Sequence, residues 1–298
     1  MHDHLPVKED EQAHALRRCS VVTALAVLLC LAALSCGEDA APQGLIAFSH
    51  GVGDDLFVMS LADGRIRSVT SIRGGQFDPS WSPDRKRLVF RDSRAGVNRN
   101  DEIYVINADG SGARNLTRES ANDWSPAWSP DGQTIVFASQ RSGQLALWAM
   151  RPDGSEVRRL TDGVDEYPTW SPDSGQIAFG RGLPLSDIWV ADRDGSHVRQ
   201  LTSDPDPEWL PAWSPDGREI AYVRGFEGHG TIWVMAADGS GQRQLTRGHD
   251  DMAPDWSGDG EWLVFSRRGT LNTMRKDGEE VQSLGVEGLL ADWAPSPG

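Results

Sequence analysis

The chain has 298 residues and carries 44 acidic against 29 basic side chains, which gives a formal net charge of −15 at pH 7. This balance disfavours nucleic acid as a partner, because nucleic-acid-binding proteins present basic surfaces. It favours solubility and, weakly, cationic partners. Cys19 and Cys30 lie in the first 35 residues, so a chain processed after them keeps only Cys36 and forms no disulfide, and a domain of about 250 residues buries a sizeable core without one.

The first 35 residues are typical of an export signal. Arg17 and Arg18 precede an apolar stretch over residues 21–34, which is shorter than the ~20 residues of a membrane-spanning helix but suits a signal peptide. The stretch ends at Ser35-Cys36. This ending resembles the lipobox of bacterial lipoproteins, and the resemblance implies that Cys36 is lipidated. An ordinary cleaved signal peptide and a short retained anchor stay open as alternatives, because length alone does not exclude them.

The leader therefore predicts the order of regions and the location of the protein. We expect a lipoprotein-type signal peptide over residues 1–35 and a flexible tether over residues 36–44. Lipidation of this kind holds a soluble domain at a membrane face without a spanning helix. We expect an exported protein that is lipid-anchored to a bacterial envelope membrane, in the periplasm or at the cell surface.

Six copies of one sequence unit follow the tether. Each copy contains a tryptophan that ends a short segment, and the spacing is close to the ~40–45 residues of propeller blades. Four copies continue as Ser-Pro-Asp and a fifth as Ser-Gly-Asp, and an aromatic residue follows each of these five tryptophans at one constant offset. The repeat tryptophans are Trp81, Trp128, Trp170, Trp213, Trp256 and Trp293.

Each unit predicts four short strands. Ser-Pro-Asp-Gly and Asp-Gly segments separate the apolar stretches, and Asp-Gly is a strong hairpin signal because glycine accepts positive φ without steric cost. Residues 134–139, TIVFAS, contain four consecutive apolar residues, which indicates burial on both faces. Stacked propeller blades provide that burial. A helical solenoid would need a 3.6-residue period, which the sequence does not show.

The two ends of the chain together provide the four strands of one repeat unit. The sixth unit has its tryptophan strand but no partner for it, while residues 45–49, 55–64 and 65–70 match the second, third and fourth strands of a unit. Pairing the C-terminal strand with these N-terminal strands closes the ring and leaves no open sheet edge. The sequence therefore predicts an all-β fold, a six-bladed β-propeller of four-stranded blades over residues 45–298.

The repeat resembles the TolB-like, or WD40-like (PD40), β-propeller family. The resemblance covers residues 45–293 and is carried by segments such as WSPDG at 213–217 and IWVMAADGS at 232–240. We expect a lipoprotein form without the N-terminal α/β domain of TolB. The resemblance implies a protein-interaction or ligand-binding module, as in the association of TolB with the peptidoglycan-associated lipoprotein. We expect a protein or peptide partner in the cell envelope, membrane contact only through the lipid, no nucleic acid, and a monomer.

The predicted topology divides the loops between two faces. The turn face holds the Ser-Pro-Asp-Gly and Asp-Gly turns. The mouth face holds the loops that enter each tryptophan strand and the loops that follow each aromatic strand. Acidic, basic and aromatic residues gather on the mouth face, so we predict that a partner binds there. The predicted binding residues are Asp78, Asp123, Trp124, Glu166, Tyr167, Arg181, Glu208, Trp209, Arg224, Asp250, Asp251 and Arg267.

Two alternatives to binding stay open for these residues. The acidic and basic side chains could form ion pairs between neighbouring loops, each worth ~0.2–1 kcal/mol when exposed. Phe77, Trp124, Tyr167 and Trp209 lie shortly before their repeat tryptophans. Aromatic residues are enriched at interfaces, but these could equally pack between blades.

The sequence contains none of the common catalytic motifs HExxH, GxxxxGK[ST] and GxSxG. We therefore expect a non-catalytic module with no cofactor and no metal. The alternative is a TolB-like propeller enzyme, for example a metal-assisted polysaccharide lyase or hydrolase with its site at the channel mouth. Clustering of His50, His229 and His249 around one metal would support that alternative.

Overall fold

The computed structural model describes residues 41–50, 55–71, 74–93, 100–248 and 250–296. The predicted signal peptide and Cys36 lie outside these ranges. All regular secondary structure in the described ranges is β-strand, and they contain no helix with the length and apolar character to cross a membrane. The strands are β1 (Leu45–Ser49), β2 (Leu56–Ser60), β3 (Ile66–Ser68), β4 (Gly75–Trp81), β5 (Arg87–Ser93), β6 (Glu102–Asn107), β7 (Arg114–Asn115), β8 (Asp123–Trp128), β9 (Ile135–Ser139), β10 (Ala146–Met150), β11 (Arg158–Arg159), β12 (Asp165–Trp170), β13 (Gln176–Arg181), β14 (Asp187–Asp192), β15 (Arg199–Gln200), β16 (Glu208–Trp213), β17 (Glu219–Arg224), β18 (Thr231–Ala236), β19 (Arg243–Gln244), β20 (Asp251–Trp256), β21 (Trp262–Arg267), β22 (Thr270–Arg275), β23 (Gln282–Glu287) and β24 (Leu289–Trp293).

These strands form six four-stranded antiparallel sheets, which confirms the predicted six-bladed β-propeller. The first to fifth blades follow chain order, from β4–β7 to β20–β23, with the tryptophan strand innermost. The sixth blade has the order β24-β1-β2-β3, so the C-terminal strand pairs with the N-terminal strands as predicted. Innermost strands contact each other around the whole ring, including β20 with β24 and β24 with β4.

The second strand of each blade is buried because neighbouring blades cover both of its faces. Strand β9 is buried at every position. The aromatic residue predicted in the second strand is fully buried in all five repeats, and the repeat tryptophans are 4 to 8% exposed. The indole Nε1 of Trp170 donates to the carbonyl oxygen of Ala127 at 3.2 Å, and that of Trp256 to Ala212 at 3.1 Å. These tryptophans therefore join their blade to the preceding one.

Hydrogen bonds and close backbone contacts fix the turns on the turn face. In the second blade, Oγ of Ser129 donates to Asp131 at 2.6 Å and accepts the backbone N–H of Thr134 at 2.9 Å. In the fourth blade, Gly239 has a φ of +92°, and a Cβ there would lie 2.7 Å from the carbonyl oxygen of Leu201 in the third blade. Only glycine accepts this backbone angle and this approach together.

Trp293→Ala tests whether the ring is closed by β24. Trp293 is 5% exposed, and its Nε1 donates to the carbonyl oxygen of Gln43 at 3.0 Å. Removing the indole should lower the free energy of unfolding by ~3–5 kcal/mol, as measured by urea denaturation. As a control, Val281→Ala alters an apolar side chain that is 41% exposed and should change stability by less than about 0.5 kcal/mol. Wild-type stability of Trp293→Ala would contradict the closed ring.

Candidate functional site

The innermost strands enclose a central channel. A cavity of about 490 Å³ is lined by residues of all six innermost strands. A second cavity, of about 510 Å³, lies at the mouth-face end of the channel. The two cavities share Asp78, Ser125, Tyr167, Leu210 and Leu290, so we call the second one the mouth cavity.

One residue of every innermost strand has a left-handed backbone. It is the third residue before the repeat tryptophan, its φ lies between 49° and 54°, and the strand register shifts at or beside it in every blade. Positive φ is uncommon outside glycine, and a β-bulge of this kind re-aims a side chain. All six residues line the channel: Asp78, Ser125, Tyr167, Leu210, Ala253 and Leu290.

Only Asp78 and Tyr167 of this ring are among the binding residues predicted from the sequence. Tyr167 was grouped there with Trp124 and Trp209, which lie one position earlier in their strands. The other four ring residues were missed because their side chains share no chemical character. A positional signal was available, since each ring residue is third before a repeat tryptophan and five of the six precede a proline.

Four fully buried carboxylates begin the innermost strands of the second to fifth blades. Each one pairs with an arginine that lies at or just after the end of the second strand in the same blade. Asp165, for example, accepts two hydrogen bonds from Arg181, at 2.6 and 2.9 Å, and bidentate pairs of this kind are strong and geometrically specific. The four pairs are Asp123 with Arg141, Asp165 with Arg181, Glu208 with Arg224 and Asp251 with Arg267.

The arginines of these pairs also stack on aromatic rings. The guanidinium carbon of Arg224 lies 4.0 Å from the ring centroid of Trp233, and that of Arg181 lies 5.0 Å from Trp189. Such stacking adds a cation–π attraction to the ion pair. Burial raises the pKa of Asp123 and of Glu208 although an arginine stands beside each.

These contacts separate the predicted binding residues into two groups. Asp123, Glu208 and Asp251 are fully buried and pair inside a blade, whereas the alternative drawn from the sequence was ion pairing between neighbouring loops. Arg181, Arg224 and Arg267 belong to the same set of pairs, which connect the first and second strands at the mouth-face end of the second to fifth blades. The other group faces the mouth cavity: Asp78, Trp124, Glu166, Tyr167 and Trp209.

The mouth cavity combines acidic and aromatic groups. Asp78 lies 3.3 Å from Arg91 and accepts the backbone N–H of Ser125 at 3.2 Å. Burial raises the pKa of Asp78, and burial together with the charge of Asp78 raises the pKa of Glu166. The rings of Tyr167 and Trp209 are in contact, with centroids 6.1 Å apart. The remaining predicted residue, Asp250, lines an adjacent cavity of about 500 Å³.

Two further carboxylates, which sequence analysis missed, lie in the channel wall. Asp255 and Asp292 stand directly before a repeat tryptophan, where the other blades have Ser, Ala or Thr. Asp255 accepts the backbone N–H of Trp293 at 2.6 Å, and Asp292 accepts that of Trp81 at 2.8 Å. The pair therefore ties β24 to both neighbouring blades. Burial raises the pKa of Asp255 to about 7. Burial and the nearby charge of Asp255 raise the pKa of Asp292 well above its ordinary value.

The histidines provide no grouped metal ligands among the residues that the structure describes. His50 contacts the ring of Phe57 in the sixth blade, and His229 lies in the loop between β17 and β18 of the fourth blade. His249 lies outside the described ranges. Within those ranges, no three His, Cys, Asp or Glu side chains are placed to hold one metal ion.

The fold and the site define a six-bladed β-propeller with its acidic and aromatic groups at one end of a central channel. The chain belongs to the TolB beta propeller domain family, PD40, which matches residues 44–182 and 162–295.

Several known proteins are similar to this chain in sequence or in fold. Tol-Pal system protein TolB 1 of Novosphingobium aromaticivorans is 37% identical over an alignment of 76 residues that covers 23% of this chain and 17% of that protein. The crystal structure of TolB from Acinetobacter baumannii superposes with a TM-score of 0.75 at 21% identity, over 98% of this chain and 74% of that chain. An oligogalacturonate lyase in complex with manganese superposes with a TM-score of 0.57 at 15% identity, over 76% of this chain and 69% of that chain. The two structural likenesses show the fold alone, because one fold carries many functions.

The carboxyl pair in the channel predicts how stability depends on pH. A raised pKa means that the folded protein binds more protons than the unfolded chain between about pH 4 and pH 7, so the contribution of the pair to stability falls as the pH rises through this window. The variant Asp255→Asn with Asp292→Asn keeps an acceptor oxygen at each position but cannot ionise. Its melting temperature should match that of the wild type near pH 4 and be several degrees higher near pH 8. For a domain of this size, 1 kcal/mol of stability corresponds to roughly 2–4 °C in melting temperature.

Asp153→Asn is the matched control for this measurement. The hydroxyl and backbone N–H of Ser155 donate to Asp153 and lower its pKa, so its contribution to stability is present above the unfolded pKa and is lost as the pH falls. This variant should therefore be the less stable protein at neutral pH and approach the wild type in acid. A difference between the double variant and the wild type that stays constant with pH would contradict the raised pKa values.

Proposed function

We propose that this chain is a non-catalytic, envelope-anchored β-propeller that binds a protein partner through the mouth face. The observation that carries the proposal is the ring of six positive-φ residues, which line the channel and of which five also line the acidic and aromatic mouth cavity. Backbone outliers of this kind cluster at binding sites, where the surrounding fold holds them in place. Membership of the TolB propeller family supports a role in protein interaction.

The chemistry of the mouth cavity supports a protein ligand. Trp124, Tyr167 and Trp209 are partly exposed there, and large amphipathic rings dominate protein interfaces. The opposite face offers short turns whose polar atoms bond within the turn, as at Ser129 and Asp131. By analogy with a relative that is named as part of the Tol-Pal system, we propose that the partner is a protein of the cell envelope.

Substitution of the two mouth tryptophans tests the working face. We expect Trp124→Ala with Trp209→Ala to weaken binding of a partner captured with the wild-type protein at least tenfold, because truncating a desolvated aromatic anchor costs about 2 kcal/mol or more. Charge reversal at Asp109 or Asp238, in exposed turns of the opposite face, should leave affinity unchanged. Affinity is measured by calorimetry, alongside thermal melting of each variant. Binding that survives the tryptophan variant but is lost with the turn variants would reverse the assignment of the faces.

We also propose that Cys36 carries the lipid anchor, which would hold the propeller near its partner in the envelope. Cys36→Ser should move the protein from the membrane fraction to the soluble fraction, measured by fractionation and immunoblotting in a bacterial host. Cys30→Ser, inside the apolar stretch, is the matched control and should stay with the membranes. Membrane retention of Cys36→Ser would argue for a retained anchor instead.

A further inference from the structure

An apolar groove lies beside the mouth cavity, between the third and fourth blades. It has a volume of about 240 Å³ and is formed by the loop between β13 and β14, the loop between β17 and β18, and the starts of β12 and β16. Leu183 and Phe226 border it and are 56% and 54% exposed, and Leu185 in the same loop is 56% exposed. Among the described residues these are the three most exposed large apolar side chains. Exposed apolar surface of this kind marks interaction sites.

Hydrogen bonds hold the two loops in place. Gly182 donates its backbone N–H to Val164 at 3.0 Å, and Gly225 donates to Pro207 at 2.9 Å. The indole Nε1 of Trp209 donates to the carbonyl oxygen of Gly225 at 3.0 Å. A groove with ordered walls loses little conformational freedom when it binds a ligand. The exposed leucines and phenylalanine therefore belong to a preformed surface.

The groove borders a strongly acidic region. Four acidic side chains and one arginine line the mouth cavity: Asp78, Asp101, Glu166, Glu227 and Arg91. Glu166 and Glu227 line the groove as well. Glu208 is neutralised by Arg224, whereas Glu166 and Glu227 form no salt bridge with any residue that the structure describes. Within the described ranges, these two carboxylates therefore stand without a paired cation next to an apolar groove.

We propose that the groove and these two carboxylates bind a short extended segment of the partner protein in which a large apolar side chain is adjacent to a lysine or an arginine. The apolar side chain enters the groove between Leu183 and Phe226, and the cation lies against Glu166 and Glu227. A volume of about 240 Å³ is below the ~300–1,000 Å³ of sites that enclose a small molecule, which favours a single side chain as the occupant. This inference rests on the proposed function, since the groove opens onto the mouth face.

A random peptide library displayed on phage provides the probe. The full chain selects peptides, and the enriched sequences are synthesised and measured by fluorescence anisotropy against four variants. The groove variant is Leu183→Ser with Phe226→Ser, and the charge variant is Glu166→Gln with Glu227→Gln. The control, Ile66→Ser with Val281→Ser, changes two exposed apolar residues elsewhere. Trp124→Ala alters the mouth cavity outside the groove.

We expect enriched peptides that carry an apolar residue beside a lysine or arginine. Their affinity should fall at least tenfold with the groove variant, and it should fall and lose its salt dependence with the charge variant. The control should leave affinity unchanged. Thermal melting of each variant confirms that the propeller is folded.

Other outcomes overturn the inference and separate it from the proposed function. Enrichment of acidic peptides, or of no motif, overturns the inference alone. If the peptides no longer bind Trp124→Ala but still bind the groove variant, the mouth remains the binding face and the groove is not the peptide site. If analytical ultracentrifugation shows that the wild type is a dimer and the groove variant a monomer, the occupant of the groove is a second copy of the chain and not a partner protein. Peptides that bind only the turn face would overturn both proposals.

Discussion

The burial of each second strand between two neighbouring sheets is the constraint on which the rest of the structure depends. Such a strand is apolar on both faces, as in β9, so each blade needs a blade on either side. A ring satisfies this requirement for every blade only if its first and last blades meet. The sixth blade achieves this by combining β24 with β1–β3, and Asp255 and Asp292 bond β24 to both of its neighbours.

Charged groups serve the fold and the site in different ways. The buried pairs, such as Asp165 with Arg181, are enclosed by aromatic rings and join strands within a blade. Because a buried charge is costly without its partner, these residues are held in place and give the mouth rigid edges. The carboxylates of Glu166 and Glu227 border the mouth cavity and form no salt bridge with the described part of the chain, which leaves them able to attract a cationic ligand.

The mouth shows how a repeated scaffold acquires a unique surface. The same bulge recurs in every innermost strand, but it presents Asp78 and Ser125 on the first two blades and Tyr167 and Leu210 on the third and fourth. The polar and apolar parts of the ring therefore face different sectors of the channel. The apolar groove lies on the side of the third and fourth blades, so the asymmetry of the ring continues into the loops around it.

The sequence by itself determined the number of blades, the order of strands and the closure, because burial between blades imposes the same apolar pattern on every repeat. It also located the mouth face, since alternating turns assign each loop to one side. Only the tertiary structure decided which charged side chains form ion pairs inside a blade, as Glu208 does with Arg224. The bulged ring, the pair of Asp255 and Asp292, and the groove beside Phe226 are likewise tertiary features. The carboxyl pair and the groove depend on contacts between residues far apart in the chain. The ring has only a positional signal in the sequence, because the chemical character of its side chains does not reveal the positive φ.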